Sequence, residues 1–281
     1  MKNSADDYEL VDSGDGRKLE RFGKFLLARP CSQAMWRKSL SEREWNSADA
    51  SFDREEGNRW HGRANLPKEW LISTAGIRFK LGGTDFGHLG IFPEQRAQWR
   101  WIREKVSHAG RPVKVLNLFA YSGGSTLAAA LGGAEEVCHL DASRGMVEWA
   151  RENARLNGLG EKGIRWIVDD AHKFMKREIR RARRYDAIIL DPPSFGRGAG
   201  GEMYKIERDL AETLFLVKSL LSEKPLFVLF SSHTPGLSPV VANNILSQLF
   251  PHANIETGEM LLQGASIECP SGVYGRVDFQ A

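Results

Sequence analysis

The chain has 281 residues, 42% of them hydrophobic and 27% charged, with a formal net charge of +3, which permits a nucleic-acid partner without demanding one. It is long enough to bury a sizeable core, and its three unevenly spaced cysteines make neither a disulfide framework nor a zinc cluster. No apolar run approaches the roughly 18 residues of a membrane span, and MKNSADDYEL lacks a basic-then-apolar leader, so a soluble cytoplasmic protein with no membrane partner is expected.

Residues 1–84 differ in texture from the rest. They hold four of the eight tryptophans (Trp36, Trp45, Trp60 and Trp70), a hairpin turn signal at Asp15-Gly16, and short extended runs such as KFLLAR and WLISTAGIRFKL. A small β-rich domain is expected here, with a polar, loop-rich stretch from Ser41 to Pro67. Core packing is the expected role for most of its tryptophans.

From residue 85 the pattern becomes strand, turn, helix. VKVLNLFA is an apolar run that ends in Tyr121, Ser122, Gly123 and Gly124, and STLAAALGG then continues as a helix stopped by glycines. Asn117 and Phe119 fall near the end of the strand. Glycine lets backbone approach a ligand, and the following helix N-terminus favours a carboxylate or a phosphate. EEVCHLDA places Asp141, followed by Ala142, at the next strand end, 24 residues after Asn117 and 18 after Gly123. One βαβ unit brings an acid at that spacing to a ribose diol. IRWIVDDA ends in Asp169, Asp170 and Ala171, with Asp170 the better candidate for an adenine amino group. In KFMKREIRRARR, Lys173, Lys176, Arg177, Arg180, Arg181 and Arg184 share one helical face, read as the solvated outside of a sheet-covering helix in preference to a phosphate track.

YDAIILDPPSF closes the series with Asp191, Pro192, Pro193 and Phe195. Proline carries no amide donor and is poorly tolerated in central strands, so the pair marks a strand end with a fixed carbonyl geometry. The loop GRGAGGEMYKIERD that follows is glycine-rich and basic, and is expected to close over a target. LFVLFSS is a further buried strand, followed by a helix near 238–249 and extended runs near 254–262 and 273–279. Each feature has an alternative when taken alone: Asp141 and Asp170 can cap helices, and Phe195 can be a core aromatic. In this order the set is far more specific than its members.

Residues 85–281 resemble the class I, Rossmann-like S-adenosylmethionine-dependent methyltransferases, and among them the bacterial large-subunit ribosomal RNA methyltransferases that carry NxFxYxGG and DPPxF. The resemblance implies a doubly wound, seven-stranded, mostly parallel α/β sheet with an antiparallel edge strand, beside the small N-terminal β-rich domain of residues 1–84. It implies S-adenosylmethionine as cofactor, no metal, and RNA, with ribosomal RNA foremost, as partner. HLGIFPEQRAQW resembles the family stretch bordering the cofactor and so adds Phe92, Gln95 and Arg96, although this chain has His88 where a lysine is common. Asp191 and the adjoining proline carbonyl are then expected to accept from an attacking amino group, with Phe195 stacked on the target base. Methylation of cytosine carbon 5 requires a thiolate, and Ser194 and Ser231-Ser232-His233 occupy the positions where relatives carry one, so methylation at nitrogen is expected. A protein or small-molecule methyltransferase and a non-catalytic cofactor-binding module remain open. A nicotinamide-dependent dehydrogenase fits poorly, because G-x-G-x-x-G is missing and Asp-Pro-Pro is present.

Overall fold

The computed structural model describes residues 6–54, 57–160, 163–198, 201–264 and 267–279. The chain divides into two units, Met1–Arg96 with Met260–Ser271 and Ala97–Glu259 with Gly272–Ala281. In the first, Asp15 and Gly16 both take left-handed conformations and turn the chain between β1 (Tyr8–Gly14) and β2 (Arg17–Phe22). These join β3 (Phe25–Pro30), β4 (Ala50–Asp53) and β5 (Arg59–His61) in a five-stranded sheet, in that order. The stretch expected to be loop-rich therefore supplies two strands and a short helix, α1 (Glu42–Trp45), closed by a Ser41/Glu44 capping box. A separate hairpin pairs β6 (Trp70–Thr74) with β7 (Ile77–Leu81).

The four tryptophans of this region act in packing. Trp45 Nε1 donates to Asp12 Oδ2 at 2.8 Å, Trp36 Nε1 to Ser13 O at 2.9 Å and Trp60 Nε1 to Thr84 O at 2.8 Å. Trp70 meets Phe25 edge-on at 5.4 Å. The unit runs past residue 84: Gly82 N donates to Leu89 O at 3.1 Å, and Arg96 pairs with Asp6 at 3.2 Å while lying over the Tyr8 ring.

The second unit is built on α2 (Arg96–Ser107), β8 (Lys114–Leu118), α3 (Gly124–Leu131), β9 (Glu136–Asp141), α4 (Arg144–Leu156), β10 (Ile164–Val168), α5 (Ala171–Arg180) and β11 (Ala187–Leu190). There follow β12 (Phe195–Arg197), β13 (Met203–Lys205), α6 (Ile206–Leu220), β14 (Phe227–Ser232), α7 (Pro239–Leu249), β15 (Asn254–Gln263) and β16 (Glu268–Asp278), the last two contributing their residues within 260–271 to the first unit. Seven strands form one sheet in the order β10-β9-β8-β11-β14-β16-β15. The first five run parallel, and β16 pairs antiparallel with β14. The antiparallel strand thus sits one place in from the edge, with β15 outside it. Strands β11 and β14 are buried throughout, which is why they read as unbroken apolar runs.

Alternation along the strands sorts the two faces. Leu116, Leu118, Leu140, Ile188, Leu190, Val228 and Phe230 share a core with Phe174 and Met175 of α5, Leu214 and Val217 of α6, and Leu246 of α7. Asn117 and His139 point the other way and are cross-strand partners. On that face Asn117 Nδ2 donates to Thr126 Oγ1 at 2.9 Å, and Thr126 Oγ1 lies 2.9 Å from His139 Nδ1. Burial, with the charge of Arg151, pushes His139 down to about 3, so the imidazole is neutral.

The basic run also resolves. The helix ends at Arg180, so Arg181 and Arg184 lie beyond it. Lys173, Lys176, Arg177 and Arg181 pair with Glu202, Glu212, Asp169 and Glu178. Four of the six cations are thus matched by acids, which favours the solvated face over a phosphate track. In the stretch after Phe195 that is expected to close over a target, Phe195–Arg197 (β12) pairs with Met203–Lys205 (β13), and Tyr204 packs on Phe119 at 5.4 Å and on His172 at 5.9 Å. Ala199 and Gly200, in the loop expected to close over a target, lie outside the described residues.

A Cβ added at Gly124 would lie 2.5 Å from Trp99 Cζ2. Gly124→Ala should therefore overpack the junction of α3 with α2 and lose about 1–3 kcal/mol of stability, read from urea unfolding. Retention of full stability would show that the indole moves freely.

Candidate active site

In an open parallel sheet, ligands bind beyond the strand ends where the order reverses, here between β8 and β11. The loop after β8 carries unusual backbone: Phe119 and Tyr121 have φ of 55° and 49°, and Gly123, the N-cap of α3, has 94°. Gly123 also packs closely, since a Cβ there would lie 3.0 Å from Ala150 Cβ. Both glycines of the pair are thus required by turn geometry and helix packing. No side chain caps α3, so the N–H groups of its first turn remain suited to an anionic group. Ser122 is buried and its carbonyl accepts from Asn153 Nδ2 at 2.9 Å. Asn117, expected at the cofactor, is buried in the Thr126–His139 network and braces the loop from beneath.

Asp141 ends β9. Its Oδ2 accepts from Tyr121 N at 2.9 Å and its Oδ1 from Ser143 N at 2.8 Å. The cap of α4 is Ser143, so Asp141 is not the helix cap that was its alternative reading. A carboxylate has roughly four lone-pair sites, and two amides leave acceptors for hydroxyl donors. Burial raises the Asp141 pKa above the ordinary range, against the lowering effect of both amides. Ala142 follows it, half-buried.

At the end of β10, Asp170 caps α5, its Oδ1 accepting from Lys173 N at 2.9 Å, and the buried Ala171 opens the helix. The capping alternative is therefore realised on one oxygen. Asp169 accepts from Asp170 N at 2.8 Å and from Arg177 at 2.6 Å.

At the end of β11, Pro192 is buried, Pro193 is exposed and Phe195 is 54% exposed, which removes the core-aromatic reading of Phe195. The end of β14 lies alongside. His233 Nδ1 is 3.5 Å from Asp191 Oδ1, and Ser194 Oγ is 2.8 Å from Thr234 Oγ1, which Ser232 Oγ also reaches at 3.1 Å. His233 entered the sequence reading only within Ser231-Ser232-His233, and Thr234 carried no signal there. Their proximity comes from the pairing of β11 with β14, between strands 36 residues or more apart in sequence. Phe92 and Gln95 belong to the first unit, where Phe92 meets His88 edge-on at 5.4 Å and Gln95 closes a buried 3₁₀ turn.

A family model for S-adenosylmethionine-dependent methyltransferases matches residues 49–223, more than half of the chain. The chain belongs to that family. It is also similar to a SAM-dependent methyltransferase from Agrobacterium tumefaciens, with 36% identity over 99% of this chain and 92% of that one and a TM-score of 0.93. A solved Streptococcus mutans protein shares the fold at 19% identity and TM-score 0.75, over 98% of this chain and 76% of that one. The ribosomal RNA large subunit methyltransferase K/L of Shewanella sp. (strain ANA-3) is 34% identical over 180 residues, 60% of this chain. The match spans 24% of that relative's length.

S-adenosylmethionine is thus the methyltransferase's cofactor, and the strand-end residues fit it: an acid with spare acceptors for a ribose, and a helix N-terminus without a side-chain cap for a carboxylate. Cofactor affinity, measured by calorimetry, should fall on acidification at a pH above the ordinary aspartate range, because protonated Asp141 loses its charge and an acceptor. In Asp141→Asn the acid limb should vanish and neutral-pH affinity should drop about tenfold or more, from the ~1.5–3 kcal/mol of hydrogen bonds to a charged group. An unchanged acid limb in the variant would assign it to another group.

Proposed function

We propose that this methyltransferase modifies a base nitrogen of RNA, with ribosomal RNA the foremost substrate. The observation that carries the reading is the exposed Phe195 beside Asp191-Pro192-Pro193, a platform and an acceptor set at the end of one strand. The named function of the Shewanella relative supports the RNA class.

In this reading Asp141 accepts from the ribose hydroxyls, the ends of β8 and α3 take the methionine carboxylate, and Asp170 with Ala171 borders the adenine. Phe92 and Gln95 keep the cofactor-bordering role that their motif suggests. S-adenosylmethionine supplies an electrophilic methyl on a sulfonium, so positioning and water exclusion outweigh strong acid or base groups. Asp191 and the Pro192 carbonyl accept from the attacking amino group and aim its lone pair. The nitrogen must then lose a proton, and His233 beside Asp191 gives that proton a way to solvent. Phe195 holds the extruded base by stacking.

No thiol stands in Asp191–Phe195 or Ser231–Thr234. Cys138 is buried in β9 and burial pushes it up to about 12, which makes it a poor nucleophile. This supports nitrogen over cytosine carbon 5.

The direct test incubates the protein with radiolabelled S-adenosylmethionine and total RNA from cells lacking it, followed by digestion to nucleosides. A labelled methylguanosine or methyladenosine is expected. Labelled 5-methylcytosine would overturn the choice of atom, and unlabelled RNA despite cofactor binding would favour a protein or small-molecule substrate. In the same assay Asp191→Ala should lower turnover by about 10²-fold or more while cofactor affinity changes little. Phe195→Ala should weaken RNA use by ~1–3 kcal/mol, seen mainly in KM.

A further inference from the structure

The first unit brings together two thiols 238 residues apart in sequence: Cys31 Sγ and Cys269 Sγ lie 3.3 Å apart. Backbone contacts hold both in place. Cys31 follows the last residue of β3, its N–H donates to Gly16 O at 2.7 Å, and its carbonyl accepts from Ala34 N at 3.0 Å. Cys269 is the second residue of β16; the chain just before it is joined to the N-terminal sheet by a bridge between Leu10 and Gly264, and Gly264 N donates within that segment to Ile267 O at 3.2 Å. The thiol contact is therefore fixed by two pieces of secondary structure.

The two sulfurs are unequal. Cys31 is half-buried, whereas Cys269 is buried. The hydrogen bond with Cys269 pulls Cys31 down to about 6 against the cost of burial, helped by the charge of Lys18 and the amides of Ala34 and Gln33. Cys269 is pushed up because it holds the shared proton and is desolvated. Cys31, the less buried of the two and the one drawn downward, is thus the sulfur suited to attack as a thiolate, and Cys269 lies in contact behind it. Glu20 and Arg29 pair with each other at 2.6 Å in the same sheet, and Lys18 also lies 3.3 Å from Glu20.

We propose that Cys31 and Cys269 form an oxidation site whose substrate class is hydroperoxides, with Cys31 as the attacking thiol and Cys269 as the resolving one. The Cys31 sulfur attacks one oxygen of hydrogen peroxide, the O–O bond breaks, hydroxide leaves, and Cys31 becomes a sulfenic acid. The Cys269 sulfur then displaces the hydroxyl from Cys31 and gives up its proton, so that an S–S bond forms and water departs. The two thiols together lose two electrons, and the peroxide gains them. The sulfurs need only close from 3.3 Å to the ordinary bond length of about 2.05 Å. The product would link the end of β3 covalently to the start of β16. A thiol reductant reverses the step by exchange.

The test uses the reduced full-length protein, treated with a small excess of hydrogen peroxide, blocked with N-ethylmaleimide and digested without reductant for mass spectrometry. A linked Cys31–Cys269 peptide is expected, forming about tenfold or more faster than any oxidation of the buried Cys138. In Cys269→Ser the linked peptide should be absent, and dimedone should trap a sulfenic acid at Cys31. In Cys31→Ser the Cys269 thiol should survive the treatment. Recovery of both cysteines as maleimide adducts in the peroxide-treated wild type would overturn the proposal. So would a linkage found only between two molecules on a non-reducing gel, or Cys138 oxidised first.

Discussion

The hydrogen bond from the Tyr121 amide to Asp141 Oδ2 joins the loop after β8 to the end of β9, and the strand-end site depends on it. Phe119 and Tyr121 are both left-handed, a conformation that costs a non-glycine residue about 1–3 kcal/mol and persists only where its surroundings over-determine it. Here the surroundings do so from two sides. Asp141 accepts the amide from above, and Asn117, Thr126 and His139 lock strand and helix together from below. The same carboxylate remains able to accept from a ligand, so in the proposed function the group that shapes the loop is also the one that accepts from the ribose.

The reversal of strand order next to β8 separates two tasks. On one side β8, β9 and β10 end in the glycine turn, Asp141 and Asp170, a row suited to one extended cofactor. On the other side β11 ends in Asp191 and the two prolines, with His233 and Thr234 supplied from β14. The prolines stop β11 and present the acid and the exposed Phe195 outward. Because β11 pairs with both β8 and β14, the proposed acceptor end and the proposed cofactor end are held in register by one buried strand.

Much of this was legible in residue order. Strands such as AIIL and FVLFSS are buried on both faces and therefore stand out as apolar runs, and Asp141 and Asp191 stood out at the ends of β9 and β11. Partnerships across the fold were not legible. That Asn117 stands opposite His139 and reaches Thr126 could not be read beside its expected place at the cofactor, because strand pairing and that reach are tertiary facts. Asp170 carried a capping signal and a binding signal at once, and Lys173 N shows the first. The stretch after Phe195 read as a loop closing over a target, and the pairing of Phe195–Arg197 with Met203–Lys205, with Tyr204 on Phe119, was not legible because it is a tertiary fact. Cys31 and Cys269 looked unrelated at their separation, because only the return of residues 260–271 to the first unit brings them together.

The most direct test is a crystal structure with bound S-adenosylhomocysteine. Both ribose hydroxyls are expected within hydrogen-bond distance of Asp141, the homocysteine carboxylate at the start of α3, and the sulfur facing the Asp191-Pro192-Pro193 end of β11. A ribose held by another group, or a sulfur turned away from Asp191, would contradict the assignment of roles along the strand ends.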